Sequence, residues 1–133
     1  MALADGAGLP LAVSVASANP SEISLVDDTL NSRFLRRLPA RIIGDRGYDS
    51  DTLDAALAKR GIEFITPRHS TRRNRTQDGR QLRRYCRRWK IERLFAWLQS
   101  FRRLVTRYER YVENFLAFVQ LACVVILSRQ FVR

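Results

Sequence analysis

Apolar residues in this chain follow two rhythms, and the order in which these alternate limits the fold more than any other feature. Ala2 to Ala4 and Leu9 to Ser17 are short apolar stretches either side of Asp5-Gly6-Ala7-Gly8, a turn signal, so the chain opens as a hairpin. Asn19-Pro20-Ser21-Glu22 then offers an N-cap, a proline for the first helical position and a glutamate placed for a capping box. Leu25, Leu30, Phe34 and Leu38 continue as a helical stripe that Pro39 ends. Arg41 to Gly44 reads as a short buried strand. Ser50 can cap the next helix, Leu53, Ala56 and Leu57 give it a core face, and Gly61 closes it. Ile62 to Thr66 is a further strand, stopped by Pro67. Helical spacing follows from about Gln81 to Arg103 and again from about Tyr111 to Arg129.

The order is thus strand, strand, helix, strand, helix, strand, helix, helix, which predicts an α/β fold: a mixed sheet flanked by helices, with two long helices at the C-terminal end. A length of 133 residues allows one domain with one modest core. There is no internal repeat, and the Arg68 to Gly79 stretch reads as the main loop.

Charge narrows the partners. Lys and Arg number 24 against 13 acids, a formal net charge of +11. Between Arg68 and Arg93 stand eleven basic residues and only two acids, Asp78 and Glu92, so this stretch carries most of the excess. Nearly all are arginines, whose fork grips phosphate oxygens in pairs. Either this is a solvated basic face, or it meets a polyanion; the clustering favours nucleic acid, with Arg72, Arg73, Arg75 and Arg84 as candidate phosphate contacts. Cys86 and Cys123 form no CxxC pair, so neither a metal clip nor a disulfide framework is expected, which suits a reducing cytoplasm. Leu9 to Val15 precedes a signal-peptidase-like Ala16-Ser17-Ala18, but the only early charge is Asp5, not the positive n-region of a signal peptide. Phe115 to Leu127, interrupted by Gln120, falls short of the roughly 20 residues that span a bilayer. It reads as a buried helix, and no membrane partner is expected.

Two carboxylates stand out. Asp45 directly follows the Ile42-Ile43 strand, and ligands of open α/β sheets gather at the carboxyl ends of strands. It is placed like a metal ligand, with Gly47 letting the chain bend after it, although from the residues alone an ordinary turn aspartate is the simpler reading. Asp51 and Asp54 instead belong in the first turn of the following helix, where the dipole favours negative charge. Around a helix turning about 100° per residue, Tyr85, Arg88, Glu92 and Gln99 share a stripe. Ile91, Leu94, Phe95, Leu98, Leu104 and Val105 form the adjoining core face, so Glu92 is expected at its border and partly desolvated. From the residues alone, a helical salt bridge between Arg88 and Glu92 is the simpler reading. His69 reads as a solvated loop residue, Trp97 as packing, and Trp89 as a possible surface for a base.

Asp45-Arg46-Gly47-Tyr48-Asp49-Ser50 resembles the stretch around the second catalytic aspartate of bacterial insertion-sequence DDE transposases. Tyr85, Arg88 and Glu92 match the Y-x2-R-x3-E-x6-K signature around that family's third acid, although Gln99 replaces its lysine. Phe95 to Leu98, Phe101 to Leu104, Arg107-Tyr108-Glu109 and Gly8 to Val13 are also similar, so the resemblance runs through essentially the whole chain. It implies an RNase H-like fold and DNA transposition by cleavage and strand transfer. It implies Asp45 and Glu92 as catalytic and metal-binding residues for Mg2+ or Mn2+, with two ions in the complete domain. Tyr85 and Arg88 would contact DNA phosphate or steady Glu92. The family's first aspartate is expected upstream of Met1, on a strand the chain lacks, because Asp5 belongs to the hairpin turn. The resemblance therefore implies a C-terminal fragment that is inactive alone, with a homo-oligomer open to the full-length protein. The competing expectation is a small basic nucleic-acid-binding protein without catalysis.

Overall fold

Asp5 holds the opening hairpin together. Its Oδ1 accepts from the Ala7 and Leu9 amides at 2.7 and 2.8 Å, and Gly8 supplies left-handed backbone at φ 83°. In the computed structural model, which describes residues 1–70 and 79–132 but not the side chains of 80–82, this turn pairs β1 (Ala2–Ala4) antiparallel with β2 (Pro10–Val13). The period of two gives the hairpin two apolar faces. Ala2 and Ala4 pack into a cluster built on Val13, Leu94, Leu98 and Cys123, whereas Met1 and Leu3 pack into one built on Leu30, Ile42 and Leu57. The hairpin is therefore a layer between two cores.

The second core belongs to a β-α-β unit. β3 (Arg41–Ile43) and β4 (Glu63–Ile65) pair in parallel, with Ile42 opposite Phe64, and α2 (Asp51–Lys59) connects them. Ser50 caps α2 by accepting from the Leu53 amide at 3.5 Å, Asp51 and Asp54 lie in its first turn, and Gly61 follows it at φ 73°, all as expected. α1 (Leu25–Asn31), entered through a 3-10 turn at Glu22–Ser24, covers this core with Val26 and Leu30.

Several expectations need correction. The described residues form two separate two-stranded sheets, not one mixed sheet. The outer edge of β2 is met by the chain after α1, through an Ala12–Arg33 bridge and a Phe34 amide bond to the Leu11 carbonyl at 2.8 Å. That return also explains the early end of the first helix, which stops at Asn31 and forms no capping box. The Arg33 guanidinium binds the Leu30 and Arg36 carbonyls and turns the chain before the stripe can continue to Leu38. The helix expected from Gln81 to Arg103 is divided into α3 (Gly79–Tyr85), a 3-10 turn at Cys86–Arg88, α4 (Trp89–Gln99) and α5 (Arg102–Val105). Because Phe101 is extended between α4 and α5, the stripe loses phase beyond it and Val105 is exposed. Within α4 Leu94 and Leu98 are buried but Phe95 is exposed, so it does not belong to the core face as expected.

α6 (Val112–Phe131) is longer than its apolar run suggested. Its 20 residues are long and apolar enough to cross a membrane by length and composition, a test that core helices of soluble proteins also pass. Here Ala122, Cys123 and Ile126 are buried in the first core, against Val13, Leu94 and Leu98. Leu121 and Val124 are exposed, so the helix packs along one face and is not the buried helix its apolar run suggested. Burial pushes the Cys123 thiol up to about 11.

Candidate functional site

The parallel β3–β4 pair delivers Asp45 to its carboxyl end, and three backbone ties hold it there. The Gly44 amide donates to the Ile65 carbonyl at 2.9 Å, while the Asp45 carbonyl accepts from the Thr66 hydroxyl at 2.7 Å and the Tyr48 amide at 3.0 Å. Thr66 is buried, and its hydroxyl clamps the end of β4 to Asp45, two residues beyond β3. Gly44 is required by closeness: a Cβ there would lie 2.6 Å from Phe64 Cζ. Neither residue drew notice as a site residue in the sequence, although a glycine between an apolar strand and an aspartate can signal close packing.

Asp45 and Glu92 meet across one guanidinium. Arg88 donates from Nη1 to Asp45 Oδ2 at 2.5 Å and from Nη2 to Glu92 Oε1 at 3.1 Å. The Tyr85 hydroxyl donates to Asp45 Oδ1 at 3.3 Å, and the Arg46 amide donates to the same oxygen at 2.6 Å. Arg88 also lies 5.7 Å from the centre of the Tyr85 ring. The four residues thus form one cluster spanning the end of β3, the end of α3, the 3-10 turn and the first turn of α4. The Arg46 amide does most to hold the Asp45 carboxyl below its usual range; burial opposes it, and the charge of Arg88 and the Tyr85 hydroxyl add to the lowering. Burial and the Asp45 charge raise Tyr85, so it remains a donor at neutral pH.

Exposure sets the strength of these pairs. The Asp45 and Glu92 side chains are 52% and 62% exposed, and that of Arg88 is 35% exposed. Glu92 is therefore not partly desolvated as its helical position suggested; it points off α4 into solvent. Each ion pair is correspondingly weak, about 0.2–1 kcal/mol. Hard carboxylate oxygens on two sides of a gap already holding a cation suit a hard dication. Among the described residues no group of three or more His, Cys, Asp or Glu side chains comes together, and Asp5 is spent on the hairpin turn.

The remaining candidates scatter. Arg84 lies on α3 with Nη1 3.7 Å from Glu63 Oε2, outside the Asp45 cluster. Arg72, Arg73 and Arg75 lie outside the described residues. Trp89 is exposed, but one face is covered by Arg93, whose guanidinium lies 4.5 Å from it and 5.4 Å from Trp97. Trp97 packs against the first core, as its spacing suggested. His69 is an exposed loop residue whose amide donates to Asp49 Oδ2 at 2.6 Å. Hollows of about 230 and 190 Å³, lined among others by Leu30 and Leu38 and by Leu98 and Phe115, do not touch Asp45 or Glu92. The carboxylate pair sits on open surface, where an extended polymer can reach it more readily than a small molecule can be enclosed.

A family model described as a transposase DDE domain matches residues 1–127. A Burkholderia cepacia protein whose name calls it a transposase for insertion sequence element IS402 is 38% identical over 130 residues, which cover 92% of this chain and 58% of that protein. The chain thus spans little more than half the length of this curated relative. No solved structure matches it.

Proposed function

This chain belongs to the transposase DDE domain family, and on that premise we propose that it serves DNA transposition as the C-terminal part of a metal-dependent catalytic domain. The observation that carries this reading is the meeting of Asp45 and Glu92, 47 residues apart (92 − 45), on one Arg88 guanidinium. An ordinary turn aspartate and an ordinary helical glutamate have no reason to share a counter-ion. In the proposed role both carboxylates are metal ligands and catalytic residues, on an RNase H-like fold whose first strand and first aspartate lie in a segment outside this chain. Mg2+ or Mn2+ is the matching cation, with two ions in the complete domain. Held by Asp45 and Glu92, such ions would supply activation of the attacking hydroxyl and stabilisation of the leaving oxygen.

The chain's own groups have separate tasks. Thr66, Tyr48 and Gly44 hold the Asp45 backbone, so its carboxylate starts from a fixed point. Tyr85 orients that carboxylate through Oδ1 and leaves Oδ2 facing Glu92 through Arg88. Arg88 and the arginines at 72, 73 and 75 supply phosphate contacts for insertion-sequence ends and target DNA in the cytoplasm. Gln99 stands at the signature's lysine position, so a phosphate contact there would be uncharged.

The test is nicking of DNA carrying the element's ends. The 133-residue chain with Mg2+ or Mn2+ should not cut, because two carboxylates leave too little negative charge for two dications. The full-length protein should cut, and Asp45→Asn or Glu92→Gln in it should abolish cutting. Full-length cutting that survives Asp45→Asn would sink the assignment. A full-length protein that binds DNA and never cuts it would be the non-catalytic binder instead.

A further inference from the structure

Arg88 occupies the place where a cation is needed. Its two terminal nitrogens engage different carboxylates, on Asp45 Oδ2 and Glu92 Oε1, and the planar fork of the guanidinium fits between them. A simple i, i+4 salt bridge would use only Glu92. Here the stronger contact, at 2.5 Å, goes to a residue 43 positions away. Tyr85 fixes the arrangement from the side, since its ring lies against the guanidinium and its hydroxyl binds the other Asp45 oxygen.

We propose that Arg88 is the resident counter-cation of the Asp45–Glu92 pair and that a divalent metal enters by displacing it. This rests on the reading that the pair holds metal. Counting only these three groups, the pair with Arg88 carries a charge of −1, and without Arg88 it carries −2. A dication must therefore take the same oxygens from the guanidinium, or sit beside it and be repelled by it. The exchange is within reach because neither pair is buried, and an exposed ion pair contributes little. Two such pairs set a handicap on metal affinity of about 2- to 30-fold. Arg88 tunes the site without closing it.

Displacement also frees a guanidinium with five donors at the edge of a positively charged centre, in a basic stretch of chain. Its best remaining partner is a phosphate oxygen. Metal loading and DNA binding then favour each other through one side chain, because whichever arrives first releases Arg88 from the carboxylates or holds it away from them. In the metal-free chain the same side chain keeps two carboxylates from repelling one another, so the empty site remains assembled.

The experiment is a calorimetric titration of Mn2+ into the 133-residue chain and its variants, with circular dichroism on each. Arg88→Gln should bind Mn2+ about 2- to 30-fold more tightly. Arg88→Lys, which keeps the charge, should stay near the unsubstituted chain. A merely structural role for Arg88 would move affinity the other way. Unchanged or weaker binding by a folded Arg88→Gln overturns the exchange, while weakening by Asp45→Asn in the same series leaves the metal-site reading standing. Asp45→Asn without effect overturns that reading and the exchange with it. Should Arg88→Gln fail to fold, the unsubstituted chain decides through the Arg88 side-chain nitrogen resonances during a Mg2+ titration. Their movement to free-arginine positions supports displacement, and unmoved resonances at saturation overturn it.

Discussion

Gly44→Ala isolates the contact that sets where Asp45 begins. Gly44 is not among the described glycines at positive φ, so alanine brings no backbone strain and the effect is steric. The added methyl would lie 2.6 Å from Phe64 Cζ, 3.0 Å from its Cε2 and 3.4 Å from Tyr48 Cβ. Carbon atoms settle at about 3.5–4.0 Å, so the ring must retreat by roughly 1 Å into a core it shares with Leu57 and Ile62. Overpacking of that kind costs about 1–3 kcal/mol, offset by about 0.4–1 kcal/mol from the stiffer unfolded chain. The net expectation is a loss of about 1–2 kcal/mol, or a fall in Tm of roughly 4–8 °C for a domain of this size. Phe64→Leu removes the obstructing ring atoms, so in that background Gly44→Ala should be neutral or slightly stabilising. Urea unfolding of the four proteins gives the cycle, and the coupling should exceed about 1 kcal/mol. Costs that add to within about 0.5 kcal/mol would refute the steric account. Mn2+ affinity should follow the same pattern, weakened in Gly44→Ala and recovered in the double variant.

Thr66→Val should cost about 0.5–1.5 kcal/mol in urea unfolding, because the Asp45 carbonyl loses one donor but keeps the Tyr48 amide; Thr66→Ser should cost less. The depressed Asp45 carboxyl contributes stability above its unfolded value of about 3.9, and that contribution disappears as pH falls through its lower folded value. Urea midpoints between about pH 6 and 3 should therefore fall less steeply in Asp45→Asn, and an identical acid limb would contradict the Arg46 and Arg88 contacts. Affinity for duplex DNA should drop steeply with salt, and neutralising Arg72, Arg73 and Arg75 together should reduce the log–log slope by about 2–3, whereas an unchanged slope would remove them from the phosphate contacts.

The parts of the fold legible in the sequence are those written in a few adjacent residues. Asp5 and Gly8 specify a turn, and Ser50 and Gly61 bracket a helix, because each acts on backbone within four residues of itself. What escaped depends on contacts made at the ends of elements. Ser100 donates its hydroxyl to the Trp97 carbonyl at 2.7 Å and helps stop α4, in a stretch that has neither glycine nor proline to mark a break. Arg33 stops α1 with a side chain that reads as an ordinary basic residue until the return to β2 is known. The separation of the strands into two sheets is likewise a matter of non-local partners, which periodicity does not encode.

The carboxylate pair shows the same divide. Arg88 and Glu92 are visible in the sequence as neighbours on a helix, and Asp45 is visible as the residue at a strand end. A salt bridge and a metal ligand then look like competing explanations for Glu92. On the proposed metal-site reading the two explanations are compatible, and the competition lies between cations. Arg88 reaches Asp45 through Nη1 and Glu92 through Nη2, so a guanidinium and a hard dication would draw on the same two oxygens. On that reading the salt bridge favoured by the residues alone would be the metal-free condition of the proposed site. Because both side chains are more than half exposed, the Arg88 ion pairs contribute little, and a dication would meet only a small handicap in displacing them.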